Sequence, residues 1–306
     1  MLRVLFLGTG GEPGVHAARA AASRHRIVGI VRPQPAASPR TARASLRRLA
    51  ARMLPGLSQD GLAAVAAAAR APIHTLASPD PGALAAIVRE TRPDLICVAG
   101  FPWLLPRDVF DSAPLGAINV HGSLLPRHRG VLPLFWIYYH DDRMTGVTVH
   151  HIDDGADTGD ILAQDSFPLE RGLSVDLLNH ANALHGAALL PDVLDGLEAG
   201  TVQGTPQDHG RATRAPRPRG GPMVNFAQWD VERVWHFLAG LQSRYREPLR
   251  DAAGRNVTYT RVRGWQRTAH ARAPGTVLVA REGEYDLFCR EGIVHLAAGN
   301  GRPRRP

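Results

Sequence analysis

The chain has 306 residues, no lysine, 36 arginines against 28 acidic residues and a formal charge of +8, long enough to bury one or two ordinary cores without disulfide or metal staples. Its two cysteines, Cys97 and Cys289, stand far apart with no metal-ligand spacing, which argues against a disulfide framework and a zinc site, and the missing lysine excludes a Schiff base on lysine. The opening apolar run ends in glycines after about six residues, too brief for a signal h-region or a membrane span, so a soluble, cytoplasmic protein without a membrane partner is expected.

RVLFLG at 3–8 stops at Gly8, Gly10 and Gly11, and HAARAAA at 16–22 is a helix former, which predicts strand, turn, helix. RIVGIV (26–31), PIHTL (72–76) and the wholly apolar DLICVAGF (94–101) predict three more strands, with helical spacing in ALAAIVRETR (83–92) before the last. Strands alternating with helices predict an α/β fold with a parallel, doubly wound, Rossmann-like sheet, to which AINVHG (117–122) and GVTVHHID (146–153) add strands. The stretch Pro33 to Met53, with five arginines, reads as a basic loop running into a helix, most simply a solvated face. A long helical pattern at 175–200 closes a first domain over 1–208, and the Pro-, Gly- and Arg-rich segment 209–222 reads as a linker. Residues 223–306 read as a smaller, β-rich C-terminal domain: Trp229, Val231, Val234, Trp235, Leu238 and Leu241 follow helical spacing, then short strand-like runs such as NVTYTRV and GTVLVA. The basic excess lies here, since residues 201–306 hold 18 arginines against 9 acids. A basic lobe suits a phosphate-bearing partner such as tRNA or a nucleotide; a compositional drift toward Ala, Arg, Gly and Pro accounts for it without one.

The most informative segments are INVHGSLLPRHRG (118–130) and GVTVHHIDDGADTGDIL (146–162). Asn119 and His121 are two apart on a strand, so their side chains leave the same face, at the carboxyl edge where open α/β sheets bind ligands. Asp157 lies in a loop bracketed by Gly155 and Gly159 that can bring a carboxylate there. An amide donor, an imidazole and a carboxylate converging on one point suit acyl transfer: Asn119 and a charged His121 can donate to a developing oxyanion, and Asp157 can favour that charge or shuttle protons. Singly, His121 reads as a structural histidine and Asn119 as a strand-end cap; the spacing with DTG downstream favours chemistry. His128, His140, His150 and His151 do not make a metal site, because adjacent strand histidines face opposite sides and no carboxylate is suitably spaced. GTGGEPG (8–14) resembles a dinucleotide loop, but no acid follows on the next strand; an anion-accepting turn fits better, with Gly8, Gly10 and Gly11 as substrate-binding residues and Arg129 as a neighbour.

The pattern N-x-H-x-S-L-L-P-x-x-R-G followed by D-x-G-x-D-T-G resembles the folate-dependent formyltransferase family. The resemblance implies a formyltransferase fold, 10-formyltetrahydrofolate as formyl donor, a primary amine as acceptor, and Asn119, His121 and Asp157 as the catalytic group. It places the folate against Phe101, Pro102, Trp103 and Leu104, against Ser123, Leu124, Leu125 and Pro126, and against the loop beginning at Asp153 and Asp154. The acceptor is less plain. The first histidine of GVTVHHID and the helix LPLFWIYYHDD look like the sugar N-formyltransferases; the basic C-terminal third and ATRAP at 212–216 look like the methionyl-tRNA enzymes. A small-molecule amine, phosphate- or nucleotide-bearing, is the favoured partner and tRNA the alternative. A formyl-folate hydrolase and a nicotinamide oxidoreductase are the remaining rivals.

Overall fold

The computed structural model describes residues 1–34 and 61–298; from residue 35 on, the basic stretch at 33–53 lies outside the described residues. The chain divides into two compact units, one of residues 1–133, 145–167 and 179–215, the other of 134–144, 168–178 and 216–306. Among the described residues no helix is long and apolar enough to cross a membrane.

The first unit is an α/β layer structure. Its elements are β1 (Arg3–Gly8), α1 (Glu12–Arg24), β2 (Arg26–Pro33), α2 (Gly61–Ala69), β3 (Ile73–Leu76), α3 (Pro81–Thr91), β4 (Leu95–Ala99), α4 (Arg107–Phe110) and β5 (Ala117–His121). After α5 (Pro133–Tyr139), which falls almost wholly in the other unit, come β6 (Met144–His151), β7 (Ile161–Pro168) and the long α6 (Val175–Ala199). Alternation along β1 builds the two faces. Val4 and Phe6 pack with Ala17, Ala18 and Ala21 of α1 and with Leu190, Val193 and Leu194 of α6. Leu5 and Leu7 pack with Leu84, Ile87 and Val88 of α3 and with Val109 and Phe110 of α4. Every residue of β4 is buried, and each large aliphatic side chain so placed contributes about 1.5–3 kcal/mol.

The strand order is β3-β2-β1-β4-β5-β6-β7. Strands β1 to β5 pair in parallel, as the alternating pattern predicts, but β6 runs antiparallel to β5, with Asn119 opposite His150. The sheet is therefore mixed rather than parallel throughout. Alternation with helices does not fix strand direction where the intervening helix is not a crossover, and α5 belongs to the other unit. Strand order reverses between β1 and β4, so α1 and α4 pack on opposite faces of the sheet, the arrangement in which open α/β sheets bind ligands at the carboxyl ends of the strands. At the end of β1 a Cβ on Gly8 would lie 2.7 Å from the Ala99 carbonyl oxygen. Gly8→Ala is therefore expected to destabilise the unit by about 1–3 kcal/mol through overpacking, read as a lowered melting temperature; an unchanged melt would show that the two loops adjust freely.

The second unit has its own core. Helix α7 (Val231–Leu241) is capped by the Asp230 carboxylate, which accepts the Arg233 N–H at 2.8 Å, and buries Val231, Val234, Phe237, Leu238 and Leu241. Phe237 meets Phe135 of α5, Trp229 and Tyr245 edge to face. Strands β10 (Tyr259–Arg267), β11 (Val277–Arg281), β12 (Glu284–Cys289) and β13 (Gly292–Ala298) form an antiparallel sheet in the order β10-β13-β12-β11, and β8 (Leu249–Arg250) pairs with β9 (Asn256–Val257). The helix and the β-rich remainder match the sequence expectation.

Candidate active site

Sheet register brings the site together. Asn119 pairs with Val98 on one side and His150 on the other, and His121 with Thr148. Asn119 Nδ2 donates to Asp157 Oδ1 at 3.2 Å and lies 3.2 Å from His150 Nε2. His150 Nδ1 is 2.7 Å from the His151 carbonyl oxygen, so its proton sits on Nδ1 and Nε2 accepts from Asn119. His121 Nε2 lies 3.0 Å from the His128 carbonyl oxygen, to which it donates, and its Nδ1 faces Asp157 Oδ2 at 3.6 Å. The backbone N–H of Gly130 completes the cradle, donating to Asp157 Oδ2 at 2.8 Å.

Burial opposes ionisation of Asp157, but the pull of His121 and His150 in their charged forms, with the Gly130 N–H, outweighs it and holds the carboxyl well below the usual carboxylate range. Burial pushes the His121 imidazole down, against the pull of Asp157. When His121 is neutral its pull on Asp157 falls away, and the carboxylate is then held by the N–H groups of Asn119 and Gly130. Asp157 itself is left-handed, with φ +56°, a conformation costing a non-glycine residue about 1–3 kcal/mol and held only where surroundings impose it.

The three residues read as catalytic lie around one point. The others are placed less uniformly. Phe101 and Trp103 are half-buried, meet edge to face at 5.2 Å and pack with Ile152 on one core cluster, whereas Pro102 and Leu104 are exposed. Leu124 and Pro126 are half-buried. Ser123 and Leu125 are buried: Ser123 Oγ donates to the Arg127 carbonyl, and the Leu125 N–H and carbonyl bond Thr148 and Gln164. The Asp153 carboxylate accepts from Gly155 N and Thr158 Oγ1, bracing its own loop, and Asp154 pairs with Arg107. Gly8 is buried and closely packed against the Ala99 carbonyl, while Gly10 and Gly11 are exposed at the start of α1. Arg129 is tied to Gln207 and His209.

Sequence reading missed His150 as a member of the site. Only its register against Asn119 reveals it, although a strand pairing drawn from the 117–122 and 146–153 runs would have located it. Gln207 carried no pattern at all. A separate trio, His25, Asp195 and Glu198, has metal-ligand proximity; His25 Nδ1 accepts the Leu2 N–H, and its Nε2 lies 3.1 Å from Asp195 Oδ1.

Residues 59–194 match the family model described as formyl transferase. The methionyl-tRNA formyltransferase of Pelobacter propionicus is 34% identical over 206 residues, 67% of this chain and 63% of its own length. That of an Anaeromyxobacter dehalogenans strain is 44% identical over 135 residues, 44% and 43% of the two lengths. The chain therefore spans less than two thirds of the length of these relatives. An N-formyltransferase from Helicobacter canadensis, solved with folinic acid and dTDP-3-aminofucose, has a TM-score of 0.63 at 14% identity, over 97% of this chain and 99% of its own. HypX from Aquifex aeolicus, in complex with tetrahydrofolic acid, gives 0.60 at 16% identity, over 96% and 43%. At these identities the likeness to the solved structures is one of fold.

Proposed function

We propose, from the formyl transferase domain that this chain carries, that it moves a formyl group from 10-formyltetrahydrofolate to a primary amine. The observation that carries the reading is the convergence of Asn119 and His121 on the ionised Asp157 at the carboxyl end of β5. The half-buried Phe101 and Trp103 rings, which meet edge to face, suit a flat heterocycle with a polar edge.

In this reading the acceptor nitrogen attacks the formyl carbon, and negative charge develops on the formyl oxygen. That oxygen is a stronger acceptor than neutral imidazole, so it draws the Asn119 N–H now given to His150, and the gain appears only as charge develops. Asp157, the more exposed partner at 16% against 7% for His121, takes the proton released by the nitrogen and passes it to His121 Nδ1. The imidazolium–carboxylate pair holds the proton until the carbon–N10 bond breaks and N10 takes it. The products are a formamide and tetrahydrofolate, with no net proton exchanged.

Such a relay needs His121 neutral at the start. Because burial lowers its pKa, the neutral form persists below the ordinary imidazole value near 6.5. The acid limb of kcat against pH should accordingly have its midpoint below about 6.5 and vanish in His121→Ala; a midpoint above 7 removes His121 from the role.

For the acceptor, the histidine-containing β6 and the LPLFWIYYHDD segment favour a small amine such as an amino-sugar nucleotide. Methionyl-tRNA is the second reading, favoured by the identity to the curated relatives. Incubation with 10-formyltetrahydrofolate and a panel of amines, methionyl-tRNA included, tests the reading: formamide product supports it, and donor hydrolysis alone overturns it in favour of a hydrolase.

A further inference from the structure

Asp157 occupies a strained left-handed backbone at the centre of the site, and the residue that grips it is one no motif announced. Gln207 is buried at 5% exposure, in the segment after α6. Its Nε2 donates to the carbonyl oxygens of Asp157 at 3.0 Å and Gly159 at 2.7 Å. Its Oε1 accepts from Arg129 Nε at 3.0 Å and Nη2 at 2.7 Å. These four bonds use both donors and both lone pairs of the amide. Arg129 in turn immediately precedes Gly130, whose N–H holds the Asp157 carboxylate at 2.8 Å. One side chain therefore fixes the main chain of Asp157 and, through Arg129, the loop that grips its carboxylate.

The surrounding backbone leaves this clasp little slack. Thr205 and Ile161 exchange two hydrogen bonds of 2.8 Å, and Arg129 bonds Thr213 and Ala215 at 2.9 and 2.7 Å. The His151 N–H donates to the Asp160 carbonyl at 2.9 Å, which ties the loop to β6. Arg129 Nη1 lies 3.2 Å from His209 Nδ1, so all three guanidinium nitrogens have protein partners.

We propose that Gln207 is a positioning residue for the reaction, setting Asp157 at its distance from Asn119 and His121 through a clasp shared with Arg129. The proposal rests on the formyl-transfer reading, but its core is a statement about geometry. A carboxylate displaced by about 1 Å costs on the order of a hundredfold in rate. It also withdraws negative charge from His121, whose titration the Asp157 carboxylate raises.

The test is Gln207→Met, which keeps the length, removes all four bonds and adds no charge, with Gln207→Glu as second variant should the first not fold. Gln207→Glu retains the acceptor for Arg129 and loses the donors to Asp157 and Gly159. Three quantities are measured on the full chain: kcat for formyl transfer, Kd for 10-formyltetrahydrofolate, and the His121 imidazole titration by NMR. Expected are a fall in kcat of about 10- to 100-fold, a donor Kd within about threefold of wild type, and a lower His121 midpoint in Gln207→Met. A reduced melting temperature with unchanged kcat and unchanged His121 titration would overturn the proposal, leaving Gln207 a structural residue. If the wild-type chain forms no formamide, the functional reading fails, and the His121 titration still decides the clasp.

Discussion

Asn119→Ala is expected to lower kcat by about 100- to 1,000-fold, the usual consequence of removing one donor to a developing oxyanion. Donor affinity should hold, because the Phe101 and Trp103 surface is untouched. His121→Ala should cost a similar factor through loss of the relay. The double variant should be much less impaired than the product of the two factors, since both residues act on one charge shift around Asp157. The structural consequences differ and must be separated from the kinetic ones. Asn119→Ala leaves Asp157 its bond from the Gly130 N–H, whereas His121→Ala empties a buried position and deprives the His128 carbonyl of its donor, which costs about 1–3 kcal/mol of stability. Single-turnover rates on chain shown to be folded are the measurement. Near-normal turnover by either variant when chemistry limits the rate would sink the proposed roles.

The parts of this molecule legible in the sequence are those with a period. The β1 pattern RVLFLG splits its residues between two faces, and both its bounds and the helical spacing of Val231, Val234, Leu238 and Leu241 reappear in the structure. Asn119 and His121 were legible for the same reason: a two-residue spacing on a strand fixes a shared face. Asp157 was found by its glycine-bracketed loop and by the family pattern, not by geometry, since nothing local dictates where a loop carboxylate lands. What the sequence hid is pairing. The direction of β6 against β5 brings His150 opposite Asn119, and strand direction is set by how the intervening chain travels. Gln207 is the extreme case: a lone amide 50 residues from Asp157 acquires a role only when the chain after α6 returns to pair Thr205 with Ile161. At the glycines of 8–11 one local motif covers two backbone situations, a buried close approach at Gly8 and an exposed helix start at Gly10 and Gly11.

The acceptor question separates by charge, and salt should divide the two readings by orders of magnitude. A protein that neutralises six to ten phosphates loses about 10³- to 10⁵-fold in affinity between 50 and 200 mM salt, whereas a small amine responds far less. Residues 201–306 supply 18 arginines, enough in number for tRNA. Several of them are already paired within the second unit: Arg263 and Arg281 share Glu284, Arg255 pairs with Asp251 and Arg244 with Asp176. Exposed pairs of this kind are weak and can be surrendered to phosphate, but they cancel part of the field that would steer a polyanion from a distance. The expected result is therefore modest salt dependence, within about tenfold over that range, with an amino-sugar nucleotide as productive acceptor. Measuring kcat/KM for methionyl-tRNA and for amino-sugar nucleotides across one salt series decides it. Efficient and steeply salt-dependent formylation of methionyl-tRNA, without turnover of any small amine, would reverse the preference between acceptors. It would leave the proposed roles of Asn119, His121 and Asp157 in place, because the proposal assigns them to the formyl carbon and not to the body of the molecule that carries the amine.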